Sequence, residues 1–309
     1  MRVLVLGGYG AVGGHLVPML RHDGHTVVAA GRDTGRADAV MDLDDPELDA
    51  YRATLPPVDV VVNASGAENP RLAALAGASD CAFIDISATA GYLDQLRQLP
   101  PRGPIIVDVG LAPGLTNLLA IAVHSQARTP GPIDLAVLLG AGERHGAAAT
   151  DWSYRLLGAH FHDDDRRIRN YTRPEEFTLP GHRGPRRLVR LDFSDQHTLR
   201  RELNVPVRTF FGLDSRLATA ALAALTWLPG ASKAPRGLHL PGTDRWIVLA
   251  RGHDGTARWA QGRSQSRATA AVAAAATSRA LSAPHGVHPV HHILTLDDLP
   301  AEEIKLDQR

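Results

Sequence analysis

A glycine-spaced turn directly after the first apolar run, five more short apolar runs alternating with helical stretches, and a change of texture past residue 127 together predict an α/β protein. The first part reads as a doubly wound parallel sheet, the second as an α+β domain carrying a mixed sheet. Residues 3–6 form the first strand, and Gly8, Gly10 and Gly13 follow at G-x-G-x-x-G spacing, with a helical pattern beyond. The three glycines serve, in turn, a sharp bend, close backbone approach to a diphosphate, and close packing of helix on strand. Residues 7–13 (Gly7, Gly8, Tyr9, Gly10, Ala11, Val12 and Gly13) would then face phosphate oxygens with free N–H groups and the positive end of a helix dipole.

Further strands are read over residues 26–32, 39–45, 58–66, 81–87 and 103–110. Their near-continuous Val, Ile and Ala content fits strands covered on both faces, as in a Rossmann sheet. Pro18 falls inside the first helix and predicts a kink or an early stop. After residues 111–127, which read as a helix, Pro130 and Pro132 break the chain. A strand then leads into a glycine loop, and a short helix begins near residue 147. Arginine is dense from Arg166 to Arg208 and strands are hard to place there; such a run is expected to be a solvated face. Residues 244–264 alternate on either side of His253-Asp254-Gly255 and predict a hairpin. Residues 266–281 predict a helix, and the tail from Gly286 a last strand.

The end of the second strand selects among dinucleotides. A carboxylate there accepts from the ribose 2′-hydroxyl of NAD, but this chain reads Ala30-Gly31-Arg32-Asp33. A guanidinium suits a 2′-phosphate, with Arg36 as a second, so NADP(H) is expected. Asp42 and Leu43 are placed beside the adenine. Asn63, Ala64, Ser65 and Gly66 end the fourth strand, where a doubly wound sheet carries its crevice.

These motifs, with "AGRDTGRA", "VVNASG", "FIDISA", "VGLAPGLTNLLA" and the late "GRSQSRATAAVAAAATSRAL…HGVHPVHHIL", resemble the saccharopine dehydrogenase-like NAD(P)-binding oxidoreductases. The resemblance implies a dinucleotide-binding Rossmann domain over residues 1–122 and a substrate and dimerisation domain over 123–264. It also implies that residues 265–309 return to the first domain. Homodimers are implied, as is hydride transfer at a C–N bond, by imine reduction or secondary amine oxidation, on a small amine or amino-acid-like substrate. Matched positions add Ser87 and Gly114 to the cofactor residues.

Hydride transfer needs no protein nucleophile. Candidates for proton transfer and substrate binding follow the strand at residues 133–139: His145, Asp151 and Tyr154, with Trp152 beside them and Thr150 as a helix cap. Asp85 and Asp108 end their strands and are weaker candidates. Lysine occurs only at 233 and 305, and no tyrosine is followed four positions later by lysine, which disfavours short-chain dehydrogenase chemistry. A carbonyl or enoyl reductase and a redox-silent NADP-sensing regulator remain the alternatives. No metal is expected: strand alternation would put His288 and His292 on one face and His291 on the other, and the acidic residues after His160 and His162 read as surface.

Lys+Arg and Asp+Glu number 33 each, so no net field recruits nucleic acid or a membrane surface. The single cysteine, Cys81, reads as a small buried hydrophobe. With a start that runs straight into the first strand, it sets the expectation of a cytoplasmic protein.

Overall fold

The computed structural model describes residues 1–100, 102–143, 146–163, 165–233 and 242–306. From the N-terminus the elements are β1 (Arg2–Leu6), α1 (Gly13–His22), β2 (Thr26–Gly31), β3 (Ala39–Val40), α2 (Asp49–Thr54), β4 (Val60–Asn63), α3 (Pro70–Ala78), β5 (Ala82–Asp85), α4 (Ala90–Arg97) and β6 (Pro104–Val107). An irregular turn over Leu111–Leu115, with a cis Ala112–Pro113 bond, leads into α5 (Thr116–Gln126). There follow β7 (Ile133–Leu139), α6 (Ala147–Arg155), β8 (His160–Asp163), β9 (Arg166–Arg169), β10 (Thr172–Phe177), β11 (Arg186–Arg190), α7 (Ser194–Leu203), β12 (Val207–Leu213) and α8 (Arg216–Leu225). The chain closes with β13 (Arg245–Gly252), β14 (Ala257–Arg263), α9 (Gln265–Arg279), β15 (Gly286–Pro289) and β16 (Lys305–Leu306).

Two compact units result: Met1–Leu118 with Ser266–Pro300, and Leu119–Gln265 with Ala301–Arg309. The first holds a seven-stranded sheet in the order β15-β6-β5-β4-β1-β2-β3, every pair parallel. Residues 60–63 and 82–85 are buried throughout, so both faces of these strands are covered, as their unbroken apolar sequence requires. Leu4, Leu6, Val61, Leu72, Phe83, Leu93 and Val107 make one core, each fully buried apolar side chain contributing about 1.5–3 kcal/mol. The strand order reverses between β1 and β4, and a doubly wound sheet binds ligands outside the strand ends at that point.

The helix α1 does not stop at Pro18 but runs on to His22. Pro18 is exposed and faces the solvent side, where the carbonyl it cannot serve, that of exposed Gly14, remains open to water. Buried Leu16, Val17 and Leu20 hold the opposite face, and packing there outweighs one lost bond.

The second unit holds a seven-stranded mixed sheet in the order β10-β11-β12-β7-β13-β14-β16, in which only β12 and β7 pair in parallel. β8 and β9 form a separate antiparallel pair. The hairpin β13–β14 turns at Gly255 as its sequence requires, with φ +87°. The arginine-rich stretch is a solvated face only in part: Arg166, Arg167, Arg173, Arg183, Arg187 and Arg201 are exposed, but Arg186 and Arg190 are buried. Arg186 donates to the carbonyls of Leu213 and Asp214 at 2.7 Å, and Arg190 to Asp163 at 2.6 Å and to Gln196 at 2.9 Å. Buried guanidinium groups are tolerated because carbonyl oxygens and a carboxylate meet their terminal N–H groups. The expected C-terminal segment parts at Pro300: β15 extends the first sheet beside β6, whereas β16 hydrogen-bonds along β14 in the second.

Candidate functional site

The predicted cofactor residues gather at the C-terminal ends of the first sheet's strands. The sharp turn belongs to Gly7, at φ +73°, one place earlier than the motif spacing suggests. A β-carbon on Gly7 would lie 2.7 Å from Ser65 Cα, so the loop after β1 is seated directly on the end of β4. One on Gly13 would strike the Gly7 carbonyl and lie 2.7 Å from Gly8 Cα, and one on Gly8 would lie 2.7 Å from Ala29 Cα. The three glycines thus bring loop, helix and neighbouring strand together. At the N-terminus of α1, Val12 offers no side-chain cap and the first turn carries no acid. Gly10, Ala11 and Val12 lie along that end of the helix, the Gly10 N–H donating back to the Gly7 carbonyl at 2.9 Å.

At the end of β2, Gly31 meets Tyr9. The Asp33 N–H donates to the Tyr9 hydroxyl at 2.7 Å, and Arg36 donates to the Tyr9 carbonyl at 2.9 Å while its Cζ stands 4.5 Å from the ring centroid. Arg32 is exposed beside them. Asp42 lies past the short β3, exposed, its carboxylate accepting from Asp44 N–H at 3.1 Å, whereas Leu43 packs against the core.

The ends of β4 and β5 form a closed polar network. Asn63 is buried and spends its amide within the fold: Nδ2 donates to Ala67 O at 2.9 Å and to Asp85 Oδ2 at 2.8 Å, and Oδ1 accepts from Ser65 Oγ at 2.6 Å. Asp85, fully buried, also accepts from the Tyr92 hydroxyl at 2.9 Å and from Ser87 N–H at 2.8 Å. Burial pushes its carboxyl above the ordinary range, against the pull of donors from Ser87, Asn63 and Tyr92. Asp85 therefore ties three segments together rather than facing solvent as a free base. Thr89 donates to Glu68 at 2.5 Å and links the two loops a second time. Ala64, Ser65 and Ser87 are half-buried and Gly66 is exposed, so these strand ends keep an accessible rim. Tyr92 and Glu68 were not singled out by sequence; the available signal for Tyr92 is a lone hydroxyl on a helix stripe otherwise made of Leu93 and Leu96.

Beyond β6, buried Asp108 adopts φ +54° and Gly114 φ +128°. The Gly114 N–H donates to Asn117 Oδ1 at 2.9 Å, and Leu111 N–H reaches Thr269 Oγ1 on α9 at 3.3 Å. Gly114 thus builds the turn and lies buried within it.

Asp151 and Tyr154 lie on α6 in the second unit, both half-buried. His145 falls outside the described residues. Thr150 does not cap α6: the helix starts at Ala147 after Gly146, because three alanines extend it upstream, and Asp151 falls in its second turn. Trp152 packs on Phe193, ring centroids 4.9 Å apart. The alternation expected of the last histidines ends at Pro289, where a 3-10 turn begins. It brings the His292 ring to 5.9 Å from His288 and 5.0 Å from His291. Asp163, beside exposed His162, is tied up by Arg190 and Arg200 rather than left at the surface. Burial pushes the Cys81 thiol up to about 11, as suits an inert core residue.

Residues 3–102 match the model of the NAD dependent epimerase/dehydratase family. Over 94% of both chains, the structure superposes on apo saccharopine dehydrogenase (L-Glu forming) from Saccharomyces cerevisiae, with a TM-score of 0.59 and 15% identity. The fold is that of a saccharopine dehydrogenase. An amine dehydrogenase from Mycobacterium smegmatis aligns over 97% of this chain and 96% of its own, with 13% identity and a TM-score of 0.46. No curated protein sequence matches the chain. Among the described residues, no helix is long and apolar enough to cross a membrane.

Proposed function

We propose that this protein is an NADP(H)-dependent oxidoreductase acting at a C–N bond of a small amine or amino-acid-like substrate. The observation that carries this reading is the cradle after β1. Gly7 turns at φ +73° against Ser65, Gly13 packs under Gly7, and an uncapped helix start follows at the strand-order reversal. Residues 7–13 would hold the diphosphate. Arg32 and Arg36 near the end of β2, where Gly31 stands at the strand's last position in place of an acid, favour a 2′-phosphate over a free hydroxyl. Asp42 and Leu43 would border the adenine, and Ser65, Gly66 and Ser87 the remainder of the dinucleotide, on strand ends fastened by Asn63 and Asp85.

A bound nicotinamide supplies the hydride. The C–N assignment draws its support from the saccharopine dehydrogenase fold together with motifs that run from Gly8 to His292. Asp151 and Tyr154 on α6, with His145 before it, are the candidates for binding the substrate and holding a proton. We assign the dinucleotide to the first unit and substrate recognition to the second. A cytoplasmic homodimer completes the proposal, the compartment supported by the lone buried Cys81 and the dimer by the family resemblance.

The test is fluorescence titration with NADPH and NADH, followed by a panel of amines and imines scored by absorbance of the reduced nicotinamide. Saturable NADPH binding, weaker NADH binding and turnover of at least one C–N substrate are expected. Tight NADPH binding with no turnover on amines, imines or carbonyls would identify a redox-silent sensor instead. Turnover confined to carbonyl or enoyl substrates would move the activity to that class.

A further inference from the structure

We infer that Tyr9 sets which adenosine ribose this protein accepts, by occupying the space that any side chain at position 31 would need. The inference rests on the dinucleotide reading and adds a determinant that lies outside β2. A β-carbon on Gly31 would lie 2.5 Å from Tyr9 Cε1 and Cζ and would also strike the hydroxyl. Ordinary contacts between such atoms begin at about 3.5 Å. An aspartate or glutamate, the group that accepts from a free 2′-hydroxyl at this strand end, therefore has no room while Tyr9 keeps its place.

Tyr9 is fastened, so the obstruction is not that of a freely swinging ring. Its hydroxyl accepts from the Asp33 N–H at 2.7 Å, its carbonyl accepts from Arg36 at 2.9 Å, and the Arg36 guanidinium lies over the ring at 4.5 Å. The Asp33 carboxylate, for its part, accepts from the Gly35 N–H at 2.9 Å and so turns into its own loop. The same aromatic ring thus excludes a carboxylate from position 31 and holds a cation beside the end of β2. Exclusion of one charge and retention of the other are a single device, and they should fail together when the ring is removed.

The consequence is epistasis. Gly31→Asp alone should not convert the protein to NADH: forcing the carboxylate in displaces Tyr9, unseats Arg36, and weakens NADPH binding at least ten-fold with no gain for NADH. Tyr9→Ala alone should weaken NADPH at least five-fold more than it weakens NADH. Tyr9→Ala with Gly31→Asp should bind NADH at least ten-fold more tightly than Gly31→Asp does. Dissociation constants for both nucleotides on the unmodified protein and these three variants decide the matter. A ligand-free thermal double-mutant cycle of Gly31→Ala and Tyr9→Ala gives a second reading, in which the tyrosine change should relieve most of the loss caused by the glycine change. The inference is overturned if Gly31→Asp alone gains NADH affinity equal to that of the double variant, or if the thermal cycle is additive. Failure of the unmodified protein to bind either nucleotide would overturn the dinucleotide reading itself. That result is distinguished from failure of the Tyr9 device by the unmodified control.

Discussion

The two units solve the problem of polar groups beside a sheet in opposite ways. In the first, polar side chains are concentrated at the strand ends, and the strands themselves are apolar: Asn63, Asp85 and Asp108 all stand at or just past C-terminal ends. In the second, charges run through the sheet. Asp134 on the central β7 lies directly opposite Arg208 on one neighbour and Arg251 on the other. It bonds both, at 2.7 and 3.0 Å. Asp163 receives Arg190 and Arg200. A unit whose polar groups cluster at one edge has a place for a ligand and an apolar interior that specifies itself. A unit whose charges pair inside the sheet depends for stability on partners far apart in sequence.

The sharpest break in that comparison is Asp163→Ala, which leaves Arg190, 4% exposed in its side chain, without its carboxylate. A loss of about 3–5 kcal/mol is expected in urea denaturation. Burial pushes the Asp163 carboxyl up, but the hydrogen bond and charge of Arg190, with Arg200 behind them, outweigh this and hold it below the ordinary range. Its folded value is depressed, so its contribution is complete above the unfolded value of about 3.9 and disappears as pH falls through the folded value. The deficit of the variant should therefore shrink in acid; a constant deficit would show that charge plays no part.

Next in size is Gly13→Ala. The added methyl meets the Gly7 carbonyl and Gly8 Cα, backbone atoms that cannot swing aside, and should cost about 1–3 kcal/mol. NADPH binding should fall at least ten-fold; an unchanged dissociation constant would detach this turn from the cofactor. Tyr92→Phe removes one of the donors to buried Asp85 and should cost about 1–2 kcal/mol by thermal denaturation. Asp85 also supplies the counterpart to Asp163 in pH. Its folded value is raised, so the cost of ionising it is absent below the unfolded value and complete above the folded one. The deficit of Asp85→Asn should grow on acidification, the reverse of Asp163→Ala. Parallel pH trends for the two variants would remove the distinction drawn between the units. The smallest effect is expected from Leu217→Gln on α8, where the side chain is 84% exposed: within about 0.5 kcal/mol.

The same contrast governs what could be read in the sequence. The parallel strands announced themselves because burial on both faces demands unbroken Val, Ile and Ala. The β13–β14 hairpin did so because alternation and a turn glycine are local. β8 to β12 escaped because Arg186, Arg190 and Arg208 look like surface until the carbonyls and carboxylates that meet them are in place. At the turn after β1 the need for glycine was legible, but the division of labour was not: only the folded loop gives the sharp turn to Gly7. Asn63 read as a ligand-facing residue, although its amide is spent on Ala67, Asp85 and Ser65.

By itself, then, the amino-acid order determined the α/β class, the succession of parallel strands and the position of the close-packed glycine turn after β1, since all three follow from periodicity and from where glycine is indispensable. Which groups meet across the chain was decided by tertiary structure alone: Tyr9 over Gly31, Asp85 among three segments, Asp134 between two arginines. The reason is physical. Local pattern encodes which face a residue buries, whereas the identity of its partner depends on loop closures that bring residues tens of positions apart to within 3 Å.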